Sequence, residues 1–284
     1  MASWHEARDR LKKIKEERLR RSEEVVELWE NVLGEKAKNL GDEVWAVYEQ
    51  VCIAALDCDR LDIAKNCVKS LSARFPTSNR VRRLLAMTLE ADGKFDEAEH
   101  MYESLIERDE TDTLSRKRLV AILKAQKLYA DAIVHLNEYL KTFQNDQEAW
   151  LELVELYCTE QDYIKAAFCM EEVLIHHPQS HLHHQRYAEI RYALGGFENI
   201  DTARSHFAKA VKLCPTNVDA LFGMCMCASF LAMSNKSTAL KRKDNQRYAE
   251  WAAHQLQENF PEKLTVDAKS KLKNITISLD SLQL

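Results

Sequence analysis

Gly93-Lys94-Phe95-Asp96-Glu97-Ala98-Glu99-His100-Met101-Tyr102-Glu103-Ser104-Leu105 is the stretch whose reading decides the fold. A turn headed by glycine leads to an aromatic residue, two acids and a small residue, Ala98. Tyr102 and Leu105 then recur at helical spacing from it. The phrase returns along the chain. Ala64, Ala98, Ala132 and Ala166 follow one another at steps of 34 residues. Apolar pairs trail each alanine at the same distances: Val68/Leu71, Tyr102/Leu105, Leu136/Tyr139 and Met170/Val173. Phe95, Tyr129 and Tyr163 each stand three residues before their alanine. A fixed period of 34 is the mark of tetratricopeptide units, two antiparallel helices each. A small residue is required where those two helices cross.

The prolines carry the same period. Pro76 and Pro178 are 102 residues apart, three times 34. Each closes a second helix, because proline cannot continue one. First helices align as Tyr48/Val51/Ala55, Arg82/Leu85/Leu89, Arg116/Leu119/Leu123 and Trp150/Leu153/Tyr157. Two later units look irregular. Pro215 follows Pro178 by 37 residues, and Pro261 follows Pro215 by 46. The spacing predicts an insertion at Gly195-Gly196-Phe197-Glu198-Asn199-Ile200, with a second helix from about Asp201 to Leu213. It also predicts a loop over Ser234–Gln246, before a last helix through Tyr248, Trp251 and Leu256.

The expected fold is therefore all-α, a right-handed α-solenoid of about six tetratricopeptide-type helix pairs. Residues 1–40 read as a charged helical cap, 41–261 as the repeat solenoid and 262–284 as a tail. The cap has a thin apolar stripe of Leu11, Ile14 and Leu19 and a break expected near Ser22. A stack exposes an apolar face at each end and needs such covers. In the tail, Ile275-Thr276-Ile277-Ser278-Leu279 alternates like a strand that adds to a partner's sheet edge.

Bulk composition agrees. Six glycines and four prolines in 284 residues leave few helix breakers. A formal net charge of −5 supplies no basic excess for nucleic-acid phosphates. The eight cysteines form no CxxC pair and read as reduced, buried thiols. The N-terminus has no apolar signal-peptide core. The longest apolar run, Ala220–Met233, is 14 residues, too short to span a membrane.

Catalytic motifs are missing from the sequence. There is no Gly-rich phosphate loop, no GxSxG and no HExxH. No enzyme activity, cofactor or metal is expected. His176, His177, His181, His183 and His184 crowd one repeat junction, yet no Cys or carboxylate is interleaved among them as a further zinc ligand. They read as a polar turn and the start of a helix. Cys225 and Cys227 are two apart on a helix and point to different faces.

Stacked pairs bind guests along their first helices. One phase of those helices gives Glu49, Arg83, Lys117, Leu151 and Gln185. One turn on come Ile53, Met87, Ala121, Glu155 and Glu189. The candidate partner-binding groove residues are Arg80, Arg83, Met87, Lys117, Lys124 and Glu155, suited by the basic members to carboxylates or an acidic peptide. A chaperone-type carboxylate clamp, Lys and Asn one turn apart, is absent: Met87 and Ala121 stand one turn beyond Arg83 and Lys117. Lys236, Lys241, Arg242 and Lys243 are a weaker candidate for acidic lipid headgroups.

A more specific resemblance rests on longer matches. Gly41-Asp42-Glu43-Val44-Trp45, Tyr48-Glu49-Gln50-Val51, Ile53-Ala54-Ala55-Leu56-Asp57, Arg74-Phe75-Pro76 and Leu136-Asn137-Glu138-Tyr139-Leu140 lie in the first half. Asp146-Gln147-Glu148-Ala149-Trp150, Lys165-Ala166-Ala167-Phe168-Cys169, Gly195-Gly196-Phe197-Glu198-Asn199 and Ala220-Leu221-Phe222-Gly223 follow. Through these, from about residue 6 to 260, the chain resembles the family of second subunits of the endoplasmic reticulum membrane protein complex. The resemblance implies a non-catalytic scaffold, peripheral on the cytoplasmic face of that membrane, within a machine that inserts tail-anchored and multi-pass proteins. The implied partners are an insertase-type membrane subunit, a small membrane subunit whose cytosolic tail is held, and a soluble subunit with a metalloprotease-like fold. No nucleic acid and no membrane span of its own are implied. The competing expectation is a free tetratricopeptide adaptor or co-chaperone that binds acidic peptide tails. On this sequence reading, Arg83→Glu with Lys117→Glu weakens co-purification of a partner's tail; unaltered recovery removes both residues from the groove.

Overall fold

The turn between the two helices of a pair sets the register of this protein. Asp59, Gly93, Lys127, Gln161 and Gly195 all have positive φ, between 58° and 76°, and they lie at steps of 34 residues. This left-handed backbone reverses the chain after each first helix. Glycine adopts it at little cost, and Asp59, Lys127 and Gln161 hold it against Cβ strain.

The computed structural model describes residues 3–259 together with Ser270. Among the described residues there are fourteen α-helices and no strand. Helices α1 (Trp4–Glu16) and α2 (Ser22–Leu28) come first, followed by a π-turn at Trp29–Leu33 and a 3₁₀ segment at Ala37–Glu43. Helices α3 (Val44–Asp57) and α4 (Leu61–Arg74) form the first pair. Then come α5 (Asn79–Ala91), α6 (Phe95–Arg108), α7 (Thr113–Ala125) and α8 (Tyr129–Thr142). The later pairs are α9 (Gln147–Thr159) with α10 (Tyr163–His176), α11 (His181–Leu194) with α12 (Phe197–Leu213), and α13 (Val218–Met233) with α14 (Ala239–Asn259).

Sequence dictates these boundaries locally. Asp112, Asp146, Ser180 and Asn217 cap α7, α9, α11 and α13, each side-chain oxygen accepting from a first-turn amide. Second helices open on Leu61, Phe95, Tyr129, Tyr163 and Phe197, again 34 apart. Pro76, Pro178 and Pro215 each follow the last helical residue by two, and the residue before each, with φ between −140° and −130°, has left the α-helical region. Pro261 and the 262–284 tail, with its Ile275–Leu279 run, lie outside the described residues.

Two expectations are corrected. Gly195–Ile200 is not an insertion: Gly195 occupies the regular left-handed turn position and Phe197 opens α12 in register. The three additional residues sit at the far end of α12, which runs to 17 residues where α4, α6, α8 and α10 have 14. Nor is Ser234–Gln246 a loop. The connection ends at Thr238, and Lys241, Arg242 and Lys243 stand on the first turns of α14. Their charged, exposed side chains hide the helical period there.

The helices group into two compact units, residues 1–135 and 136–284, with the boundary inside α8. In the first, α1 and α2 bury Ala7, Leu11, Ile14, Val25 and Val26 in one core with Val51, Ala55, Ala64 and Leu71 of the first pair. Each large apolar side chain so buried contributes about 1.5–3 kcal/mol. Four arginines fix the orientation of this segment through paired bonds: Arg8 to Glu43, Arg10 to Glu24, Arg20 to Asp57 and Arg60 to Glu30. The second unit centres on Ala188, Ile200, Phe207, Leu221, Cys225 and Leu256. Gly223 of α13 is pressed against the Phe207 ring of α12; a Cβ there would lie 2.4 Å from the ring tip.

Gly223→Ala is therefore expected to destabilise the fold by about 1–3 kcal/mol through overpacking. Gly93→Ala, which meets open space but keeps positive φ, is expected to cost about 1 kcal/mol. Thermal melts of both variants check the order.

Candidate protein-binding surfaces

In the first unit, α1, the 17–21 connector, α2, the first helices α3, α5 and α7 and the start of α6 line a groove of about 690 Å³. Its apolar lining includes Ile14, Leu19, Ile53, Met87 and Phe95. Leu19 and Ile53 are 39% and 41% exposed, so the apolar surface faces outward as well as into the core. Lys15, Arg18, Arg20, Arg21 and Arg118 line the same groove. Asp57 and Glu90 are its acids. Asp57 accepts two bonds from Arg20, at 2.7 and 3.1 Å, and one from the Ser22 hydroxyl at 2.7 Å. The Arg20 guanidinium, helped by Ser22, holds the Asp57 carboxyl below its ordinary pKa. Glu90 accepts from the Tyr102 hydroxyl at 3.1 Å and from Arg118 at 3.4 Å. An apolar floor with a cationic rim suits an extended segment that buries one or two apolar side chains and places carboxylates on the rim.

The predicted groove residues meet different fates. Met87 joins Ile53 in the lining, as one phase of the first helices requires. Arg80 is exposed but bonded to Glu49 of α3. Arg83 is half-buried and donates to Asp112, the cap of α7, at 2.7 Å. Burial pushes the Asp112 carboxyl up, but Arg83 and Ser115 outweigh it and leave the pKa lowered. Arg83 thus clips α5 to α7, and Arg83→Glu tests stability as well as binding. Lys117 and Lys124 are half-buried on α7 and do not line the groove. Glu155, in the second unit, is held by Arg186 through bonds of 2.9–3.2 Å. Sequence reasoning missed the wall contributed by the N-terminal segment, although the Ile14 and Leu19 stripe was the available signal.

In the second unit, α10 displays Ile164, Phe168 and Ile175, which are 73%, 56% and 70% exposed. Their spacing places them on one helical face. The Trp150 ring meets Phe168 edge-on at 6.4 Å.

The junction histidines disperse into separate contacts. His181 accepts from Asn217 at 3.1 Å and His183 from Gln147 at 3.2 Å. His184 Nε2 lies 3.1 Å from the Pro178 carbonyl, which can only accept, so Nε2 carries a proton. With His184 neutral, its Nδ1 then accepts from His206 Nδ1 at 3.0 Å. Burial, with His184 and Arg191 nearby, lowers the His206 pKa from 6.5 to about 4. No group of three or more potential metal-ligating side chains forms among the described residues.

Paired antiparallel helices in 34-residue register, with exposed apolar faces, define a tetratricopeptide-type helical repeat. The family described as the EMC2 TPR-like repeat domain matches residues 66–200. ER membrane protein complex subunit 2 of Xenopus tropicalis is 43% identical over 284 residues, covering 99% of this chain and 96% of the relative. The subunit 2 protein of Dictyostelium discoideum is 33% identical, covering 89% and 82%. The TPR repeat protein oca3 of Schizosaccharomyces pombe is 34% identical, covering 71% and 72%. Among solved structures, the C-terminal part of a TPR repeat-containing protein from Cytophaga hutchinsonii superposes with a TM-score of 0.66 at 14% identity, covering 94% of this chain and 98% of that one; it supports the helical-repeat solenoid fold. The chain belongs to the ER membrane protein complex subunit 2 family.

Burial of His206 is expected to make stability depend on pH. Below about pH 6.5 the unfolded chain protonates His206, whereas the folded site resists until about pH 4. Stability from this residue is therefore present near neutrality and falls between pH 6.5 and 4, by roughly 1–2 kcal/mol. His206→Gln should lose less stability than the parent across that window in denaturant titrations. An equal loss would remove His206 as the cause.

Proposed function

We propose that this chain is a non-catalytic scaffold subunit of an endoplasmic reticulum membrane protein complex. It is held peripherally at the cytoplasmic face and braces membrane subunits and a soluble partner while tail-anchored and multi-pass proteins are inserted. The observation that carries the reading is the match over 99% of the chain to a relative bearing that subunit's name. No helix among the described residues is long and apolar enough to cross a membrane, which fits attachment through partners. In this reading the first-unit groove receives the cytosolic segment of a small membrane subunit, with Ile53 and Met87 as its apolar floor. The insertase-type membrane subunit is braced alongside. The α10 stripe of Ile164, Phe168 and Ile175 meets the soluble, metalloprotease-like subunit, because an exposed apolar row on a regular helix fits a folded surface better than an extended tail.

Affinity capture of the tagged chain from detergent-solubilised membranes, read by mass spectrometry, tests the assignment. Membrane subunits and one soluble subunit are expected together. Capture of soluble chaperones alone would overturn the complex and favour a free adaptor. Ile53→Glu is expected to lower recovery of the small membrane subunit about tenfold, the scale of one buried anchor, with the melting temperature nearly unchanged. Ile164→Lys with Ile175→Lys should instead deplete the soluble subunit.

A further inference from the structure

The segment Arg18-Leu19-Arg20-Arg21-Ser22 carries three arginines in the four residues before a serine. Residues 17–21 lie outside regular helix and are exposed, and Arg18 has φ 52°. Ser22 is half-buried at the head of α2 and donates its hydroxyl proton to Asp57 Oδ2 at 2.7 Å. Arg20 holds the same carboxylate from the other side. Arg20, Ser22 and Asp57 thus latch the connector to the last residue of α3, and all three line the groove.

We propose that Ser22 is a phosphorylation site for a basophilic protein kinase, and that its modification opens this latch. The exposed connector supplies the cationic, non-helical approach that an acidic kinase cleft recognises. In the transfer, Ser22 Oγ bonds to the γ-phosphorus of ATP and the bond to the bridging oxygen breaks. ADP leaves, and the hydroxyl proton is lost to the kinase's base. The product ester has no proton to donate to Asp57, and its near-dianionic phosphate repels that carboxylate at hydrogen-bond distance. Arg20, with Arg18 and Arg21 beside it, then has a stronger acceptor on its own segment. The Arg20–Asp57 bridge between connector and α3 is exchanged for one within the connector. Because the connector is a wall of the groove, this makes Ser22 the regulator of the surface proposed above and rests on that reading only for its biological meaning.

The test uses the purified full-length chain with ATP and a basophilic protein kinase. Fragment mass spectrometry is expected to place the phosphate on Ser22. Incorporation should fall at least about tenfold in Ser22→Ala and in Arg18→Gln with Arg21→Gln, and persist in Ser22→Thr, which keeps an acceptor hydroxyl and guards against a folding artefact. Phosphate on other residues with Ser22 unmodified overturns the site. In the modified chain, hydrogen exchange is expected to quicken over residues 17–21 and the end of α3, and to stay unchanged in α9 and α10. Unchanged exchange at the latch overturns the mechanism. Neither readout involves a partner, so failure of the groove to hold a membrane subunit would leave both intact.

Discussion

Close approach of two helices in each pair is the constraint on which the rest of this structure depends. Ala64, Ala98, Ala132 and Ala166 are completely buried at that crossing. A larger side chain there would force the helices apart and forfeit contacts along both, since cores at crystal-like density do not absorb extra methylenes cheaply. The register follows from it. A left-handed turn residue lies five before each alanine, and an aromatic or leucine at the helix start lies three before. The fifth pair shows how the rule is kept when its residue changes. Ile200 takes the alanine position, and Ala188 on the first helix of the pair enters the same core. One pair later, α13 offers Gly223 to Phe207.

Most of this was legible because the signals are local. Proline, capping residue, turn and small residue act within a few positions, so their period survives in the sequence. The misreadings arose where local signals mislead. Gly195-Gly196 resembles an inserted loop, yet Gly195 fills a position that Asp59, Lys127 and Gln161 fill elsewhere under strain. Extra length accumulated silently at the other end of α12. Lys241, Arg242 and Lys243 looked like a loop because the start of α14 is exposed and has no apolar stripe to betray it.

The surface was harder to read than the fold. Helical phase places Ile53 and Met87 on a shared face, since phase depends only on the 3.6-residue period, and both line the first-unit groove. It could not tell which charged residues remain available. Arg83 meets Asp112 across 29 residues, Arg80 meets Glu49 across 31, and Arg186 meets Glu155 across 31. Such pairs join one helix pair to the next within a compact unit and become visible only when those helix pairs stack. For Arg83, a first-helix arginine facing the capping acid of the following helix pair would have been the signal to seek.

These pairings explain why the N-terminal segment is both well placed and adjustable. Exposed ion pairs contribute little each, about 0–1 kcal/mol, but a bidentate arginine fixes direction as well as distance. Leu11, Ile14, Val25 and Val26 supply the adhesion from within the core they share with the first pair. Arg20 and Ser22 supply orientation from outside that core, on a carboxylate that also borders the groove. A change of charge at that point would act first on the connector wall of the groove, where Arg20 and Ser22 meet Asp57. A surface built in this way separates the energy of docking from the geometry of binding.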